Sequence, residues 1–219
     1  MAASAPIRIA LIGAECTGKT ELAQALQARL QPDYPGVQWV PEYLREWCAA
    51  QGRTPMAAEQ AAIADEQMRR IQAQANAPLL LCDTTPLVTA VYSELLFGDT
   101  TLYKAALAAQ AGFALTLLTG TDLPWVADGL QRDGAAMRTR FDQRLRALLQ
   151  THGIAYAAVY GQGEARTQNA LQALQYALGL PRPTTPGKPW QWSCEKCSDP
   201  ACEHRLFQDL LAKNPAAAP

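Results

Sequence analysis

Apolar residues in this chain fall into short continuous runs, separated by longer stretches in which they recur every three or four positions. The runs at 7–12, 37–40, 78–85, 113–119 and 154–159 have strand length and predict buried strands. Between them, 21–30, 55–75, 89–97, 102–110, a segment ending near His152 and another reaching Leu178 carry helical spacing. Strands alternating with helices predict an α/β fold of three layers with a five-stranded parallel sheet.

The exit of the first predicted strand carries the most specific signal. Residues 13–20 read Gly-Ala-Glu-Cys-Thr-Gly-Lys-Thr and match G-x-x-x-x-G-K-[ST], a loop that cradles phosphate between a strand and a helix. Gly13, Glu15, Cys16, Thr17 and Gly18 would present successive backbone N–H groups to one anion, and the helix N-terminus adds its positive dipole. Lys19 would reach the β- and γ-phosphates of a nucleotide, and the Thr20 hydroxyl would ligate Mg²⁺. The run at 78–85 ends in Asp83, the pattern of an apolar strand whose terminal carboxylate holds Mg²⁺.

Ligands of open α/β sheets bind beyond the carboxyl ends of the strands. At the end of the second strand this places Glu42, Tyr43 and Arg45 near whatever receives the phosphate. Glu42 is equally a residue type favoured in a helix first turn by the dipole. After the fourth strand, the polar, glycine-punctuated loop 120–134 contains Trp125, Asp128 and Arg132, the composition of a lid. Arg132 is the candidate for meeting a transferring phosphoryl group; Arg138 and Arg140 read either as further lid arginines or as surface charge. Beyond the fifth strand, Gly161 and Arg166 open the last helix, where a glycine turn can cradle an adenine base.

Hydrophobic residues make up 49% of the chain and the formal net charge is −1, which argues against disorder and against a broad nucleic-acid footprint. No apolar run reaches membrane-spanning length, and no basic, then apolar N-terminal segment is present. The default expectation is a cytoplasmic protein with reduced cysteines and a small-molecule partner rather than a membrane or nucleic acid.

Composition changes after residue 179. Four prolines in 180–193 predict a linker between a domain at 1–179 and a tail at 194–213. Cys194, Cys197, Cys202 and His204 form C-x2-C-x4-C-x-H, a donor set suited to structural Zn²⁺ that would supply the tail's folding energy. A redox disulfide or inert thiols are the alternatives. Residues 205–213 have the spacing of a short amphipathic helix. Such a tail could cap the site, form a homodimer contact or dock a protein partner.

Taken together, these motifs resemble the NadR-like P-loop ATPase/kinase family, whose reference activity is ribosylnicotinamide kinase. The likeness is carried by the loop at 13–20, Pro41-Glu42-Tyr43-Leu44-Arg45-Glu46, Asp83-Thr84-Thr85 and the stretch 121–130, and it runs from about 7 to 178. The adenylyltransferase and DNA-binding domains that accompany the kinase in that family are not expected here, because the loop begins almost at residue 1. The segment Val40-Pro41-Glu42 is also similar to the strand end of deoxyribonucleoside kinases, where the acid is the catalytic base. The resemblance implies ATP and Mg²⁺ as cofactors and a nucleoside 5′-hydroxyl as phosphoryl acceptor, with Glu42 as base and Asp83 as the rival for that role. A regulatory ATPase is the competing reading. Trp39, Tyr43, Trp47, Tyr92 and Trp125 could stack on a flat base, although core packing is the commoner fate of such residues.

Overall fold

The computed structural model describes residues 5–125 and 134–179. Asp128, Arg132, the 180–193 linker, the four candidate zinc ligands and the 205–213 helix lie outside the described residues.

Five parallel strands form one sheet in the order β2-β3-β1-β4-β5. These are β1 (Ile7–Ile12), β2 (Gln38–Val40), β3 (Leu79–Asp83), β4 (Leu115–Thr119) and β5 (Ala157–Val159). β1 is central, in register with β3 from Ile7↔Leu79 to Leu11↔Asp83 and with β4 from Ile9↔Leu115 to Ile12↔Leu118. The predicted five-stranded parallel sheet is therefore the observed one. Its edges are shorter than the apolar runs, because β2 and β5 keep only the three residues that pair with a neighbour.

Alternate side chains of the central strands enter two cores, as the period of two requires. On one face Ile9, Leu11, Leu79, Leu81 and Leu117 pack against Leu22, Leu26 and Leu30 of α1 (Lys19–Leu30) and Ala170 and Leu174 of α7 (Gly163–Leu178). On the other, Ala10, Ile12 and Leu118 meet Leu87 and Val91 of α4 (Pro86–Phe97) and Phe141, Leu145 and Leu149 of α6 (Gly134–Thr151), with α5 (Tyr103–Gln110) alongside. Three layers result, as expected for a parallel sheet covered on both faces.

Two helices connect β2 to β3, and one of them was not signalled by periodicity. α2 (Tyr43–Gln51) buries only Cys48, so its sequence shows no apolar stripe. α3 (Gln60–Ala73) follows a 3₁₀ turn at Ala57–Glu59, where the Glu59 carboxylate accepts from the Met56 N–H at 2.7 Å. Helix α4 begins three residues before its predicted start because Pro86 occupies its first turn, where a missing N–H costs nothing. Among the described residues no helix is long and apolar enough to cross a membrane.

Candidate active site

Strand order reverses between β3 and β1, and in such sheets the crevice beyond this point binds ligands. The glycine-rich loop leaves β1 here and Asp83 ends β3. Gly13 adopts φ 152° and a Cβ built on it would lie 2.2 Å from Thr119 Oγ1, so glycine is what lets the loop pass β4. Gly18 and Cys16 also take positive φ, at 69° and 52°. The Thr17 hydroxyl lies 2.8 Å from Ala14 O and 2.7 Å from Thr119 Oγ1, which is itself 3.2 Å from Ile12 O. This buried hydroxyl pair fastens the loop to the end of β4. Thr119 had no sequence signal beyond its place at a strand end.

Lys19 is buried, and its ammonium donates to Gly13 O at 3.1 Å and Ala14 O at 2.9 Å. Thr20 donates to Asp83 Oδ2 at 2.6 Å. Asp83 is fully buried and its other oxygen, Oδ1, has no hydrogen-bond partner. Burial raises the Asp83 pKa above the usual carboxylate range; Lys19 opposes this and the nearby Glu42 carboxylate reinforces it. A half-satisfied buried carboxylate beside a threonine hydroxyl is an oxygen donor set for a hard divalent cation.

Glu42 ends the β2 exit and precedes α2. Its side chain is only 9% exposed and accepts from Arg45 Nε at 3.1 Å. The structure thus brings Lys19, Thr20, Asp83, Glu42 and Arg45 into one electrostatic neighbourhood, as all four neighbours of Asp83 act on its titration. Gln67 of α3, which carried no functional signal in the sequence, reaches the same turn. It accepts from the Tyr43 N–H at 2.7 Å and donates to Pro41 O at 3.3 Å.

The five aromatic candidates separate sharply. Tyr92 stacks on Phe141 inside the core with ring centroids 4.3 Å apart, and Trp39 packs against the α1 and α7 side of the sheet. Tyr43 lies under the Arg70 guanidinium at 4.4 Å and Trp47 under Arg53 at 5.0 Å, so each has one face occupied by a cation. Trp125 turns to the loop, its Nε1 3.3 Å from Glu15 Oε1.

On the other flank, buried Arg166 ties three segments together. Its Nη2 donates to Thr17 O at 2.8 Å and Gly120 O at 3.1 Å, and its Nη1 to Gly161 O at 2.8 Å and Asp122 Oδ1 at 3.0 Å. Gly161 N–H donates in turn to Asp122 Oδ2 at 2.7 Å. The sequence expectation put Arg166 beside the nucleotide base. Its hydrogen bonds go to the Asp122 carboxylate and to the backbone of the phosphate loop and of the two strand exits that border it. Replacing Arg166 with Met should cost about 3–5 kcal/mol, because Asp122 and three carbonyls lose a buried partner. Urea unfolding measures this, and a loss below about 1 kcal/mol would contradict it.

Arg138 is buried and donates to Leu123 O at 2.9 Å, while Arg140 is exposed, so surface charge describes only the second of them. Leu123 in turn borders Gly18, where its Cδ1 would lie 3.1 Å from a built Cβ. The β4 exit therefore lies over the phosphate loop.

Among the described residues no group of three His, Cys, Asp or Glu side chains could hold a metal by itself. The Thr20–Asp83 pair would need phosphate oxygens or water to complete a coordination shell, which is the habit of Mg²⁺.

Fold and site together define a P-loop nucleotide-binding protein with the architecture of the small P-loop kinases. The family described as AAA domain matches residues 8–166, and the chain belongs to it. No curated protein matches the chain significantly. Among solved structures, the NadR protein in complex with NR superposes with a TM-score of 0.65 at 19% identity, over 83% of this chain and 54% of that one. NadR in complex with NAD and AMP-PNP gives 0.64 at 19% identity, over 83% and 52%. Thymidylate kinase from Ehrlichia chaffeensis gives 0.58 at 13% identity, over 79% and 99%. The chain spans about half the length of the NadR structures it matches. At these identities the likeness establishes the fold, in agreement with the family resemblance carried by the motifs.

Proposed function

We propose that this chain is an ATP-dependent kinase that transfers the γ-phosphoryl group to a nucleoside 5′-hydroxyl, with nicotinamide riboside as the acceptor. One observation carries the reading: two carboxylates of different environment, Asp83 and Glu42, stand at the ends of neighbouring strands beside a phosphate loop. Asp83 is engaged by the loop's own Thr20. Glu42 stands on the β2 side and is bound by Arg45 instead. Beside the metal-side carboxylate, the second one is placed to take the proton of an acceptor hydroxyl, the role of a kinase's catalytic base.

In this reading Thr20 and Asp83 would hold Mg²⁺, which when bound neutralises charge on the β- and γ-phosphates. Lys19 exchanges its two loop carbonyls for phosphate oxygens. The loop N–H groups and the N-terminus of α1 hold the phosphate chain in line. Glu42 accepts the 5′-hydroxyl proton as the oxygen attacks phosphorus, and Arg45 orients the carboxylate. Arg132 is assigned to the developing charge on the transferring group. Tyr43, Arg45, Trp125 and Asp128 are assigned to the acceptor, and Gly161 to the adenine side. The structures of NadR in complex with NR and with NAD and AMP-PNP support the choice of acceptor by fold likeness.

The test is mass-spectrometric detection of phosphorylated product after incubation with Mg-ATP and a panel of nicotinamide riboside, uridine, cytidine and deoxynucleosides. Nicotinamide mononucleotide should form and should disappear in Lys19→Ala. Product from another nucleoside alone would replace the acceptor but keep the kinase. ATP hydrolysis with no nucleoside product would replace the kinase by a regulatory ATPase.

A further inference from the structure

The inner face of α3 runs Gln60, Ile63, Ala64, Gln67 and Ile71, all buried. A glutamine within an apolar stripe is costly unless its amide finds partners. Gln67, 1% exposed, finds two, and both belong to the residues that flank Glu42. Its Oε1 accepts from the Tyr43 N–H at 2.7 Å and its Nε2 donates to Pro41 O at 3.3 Å.

Tyr43 is the first residue of α2, so its N–H is one of the donors that a helix N-terminus leaves without an intrahelical partner. An N-cap side chain ordinarily accepts from the N–H of the second or third helical residue, so the first N–H needs a partner from elsewhere. Glu42 occupies the N-cap of α2 and makes no such bond. Its carboxylate bonds the Arg45 side chain instead, and the strand it follows pairs with the one that ends in Asp83. Gln67 supplies, from another helix, the acceptor for that first N–H of α2.

From this we infer that Gln67 is a positioning residue: by binding the N–H that follows Glu42 and the carbonyl that precedes it, it fixes the backbone that aims the Glu42 carboxylate at the phosphate-transfer site. The inference rests on the proposed role of Glu42 as base. Gln67 holds both sides of one residue, so the φ and ψ of Glu42 (−66° and 115°) are set by contacts outside its own helix. Arg70, one turn further along α3, reinforces the grip by covering the Tyr43 ring and binding Glu46 at 2.5 and 2.9 Å.

The variant Gln67→Met keeps length and volume but removes both hydrogen bonds. A crystal structure of this variant should show the backbone at residues 41–43 shifted and the Glu42 carboxylate withdrawn from Arg45. Turnover of nicotinamide riboside should fall about 10–100-fold, the scale of a misplacement of about 1 Å in a reacting group, with the KM for ATP within about twofold of wild type. In a Glu42→Gln background the same change should have no further effect on turnover, since Gln67 acts through that carboxylate. A purely structural Gln67 would give additive losses and a raised KM for ATP.

Gln67→Glu, which retains the acceptor for Tyr43 N–H but not the donor to Pro41, serves if the methionine variant does not fold. It should keep the Glu42 conformer and more of the turnover than methionine does. An unchanged Glu42 conformer together with wild-type turnover in Gln67→Met would overturn the inference while leaving the kinase reading intact. Wild-type turnover in Glu42→Gln, or no phosphorylation of nicotinamide riboside by the wild-type chain, would overturn the base assignment or the acceptor instead. The crystallographic result would then decide the capping role of Gln67 on its own.

Discussion

Glu42→Gln is expected to lower nucleoside phosphorylation by about 10²–10⁴-fold, the range that a general base contributes. The substitution keeps the shape and can still accept a hydrogen bond from Arg45, so it removes the charge and the proton acceptor with little disturbance of packing. ATP binding should be almost unchanged. The phosphate cradle is built from residues 13–20 and Asp83, and Glu42 touches none of its hydrogen bonds. Product formation followed by mass spectrometry, with ATP affinity measured by calorimetry, separates the two quantities. Undiminished phosphorylation would remove Glu42 from the mechanism. A loss of ATP affinity equal to the loss of rate would make its role one of nucleotide binding.

Gly13→Ala should damage both stability and nucleotide binding. The new methyl group would lie 2.2 Å from Thr119 Oγ1 and 2.9 Å from Thr119 O, inside any tolerated contact. Overpacking of this kind costs about 1–3 kcal/mol. Gly13's φ of 152° adds strain, of order 1–3 kcal/mol, that an alanine bears and a glycine does not. To escape, the loop must retreat from β4, and the 2.7 Å contact between Thr17 and Thr119 is the first to fail. The loop N–H groups would then no longer converge on one anion. Urea unfolding and ATP calorimetry should both register the change. Thr119→Ala, added to Gly13→Ala, should restore part of the stability, because it removes the nearer of the two clashing atoms but not the carbonyl. Stability within about 0.5 kcal/mol of wild type and unaltered affinity would contradict the argument.

Low identity to the solved kinases makes the local chemistry more informative than the superposition. Three features of this chain bear on the proposed acceptor. Tyr43 and Trp47 each have one face covered by an arginine, which leaves a single face for a flat base. Trp125 is tied to Glu15 of the phosphate loop and so is coupled to the nucleotide side. Arg45, 55% exposed in its side chain, binds the largely buried Glu42 carboxylate from the solvent side. The NadR structures provide the acceptor hypothesis; these residues decide how an acceptor could be held.

Much of this molecule was legible in its sequence because the signals are local. The phosphate loop is a contiguous eight-residue pattern, and its geometry follows from glycines at both ends and the strand and helix around it. The sheet was legible for a similar reason: parallel strands buried on both faces are largely apolar, and β1, β3 and β4 are so apart from Arg8, Thr116 and the polar ends Asp83 and Thr119. Asp83 was legible as the polar end of such a run, and Glu42 as the acid following an edge strand.

Other features were settled only in three dimensions. Helix α2 was invisible to periodicity because it buries a single residue, so nothing in its pattern distinguishes it from an exposed loop. Arg138 could be read either as a lid residue or as surface charge. It is the packing of α6 that buries it and turns it onto Leu123 O. Thr119, Asp122 and Gln67 have partners 102, 44 and 24 residues away in the chain, and no spacing rule spans such distances. Sequence by itself determined which segments become strands and where phosphate can bind, since both depend on neighbouring residues. Tertiary structure decided which side chains hold that loop and aim its carboxylates, because a buried polar group takes whatever partner the fold brings within reach.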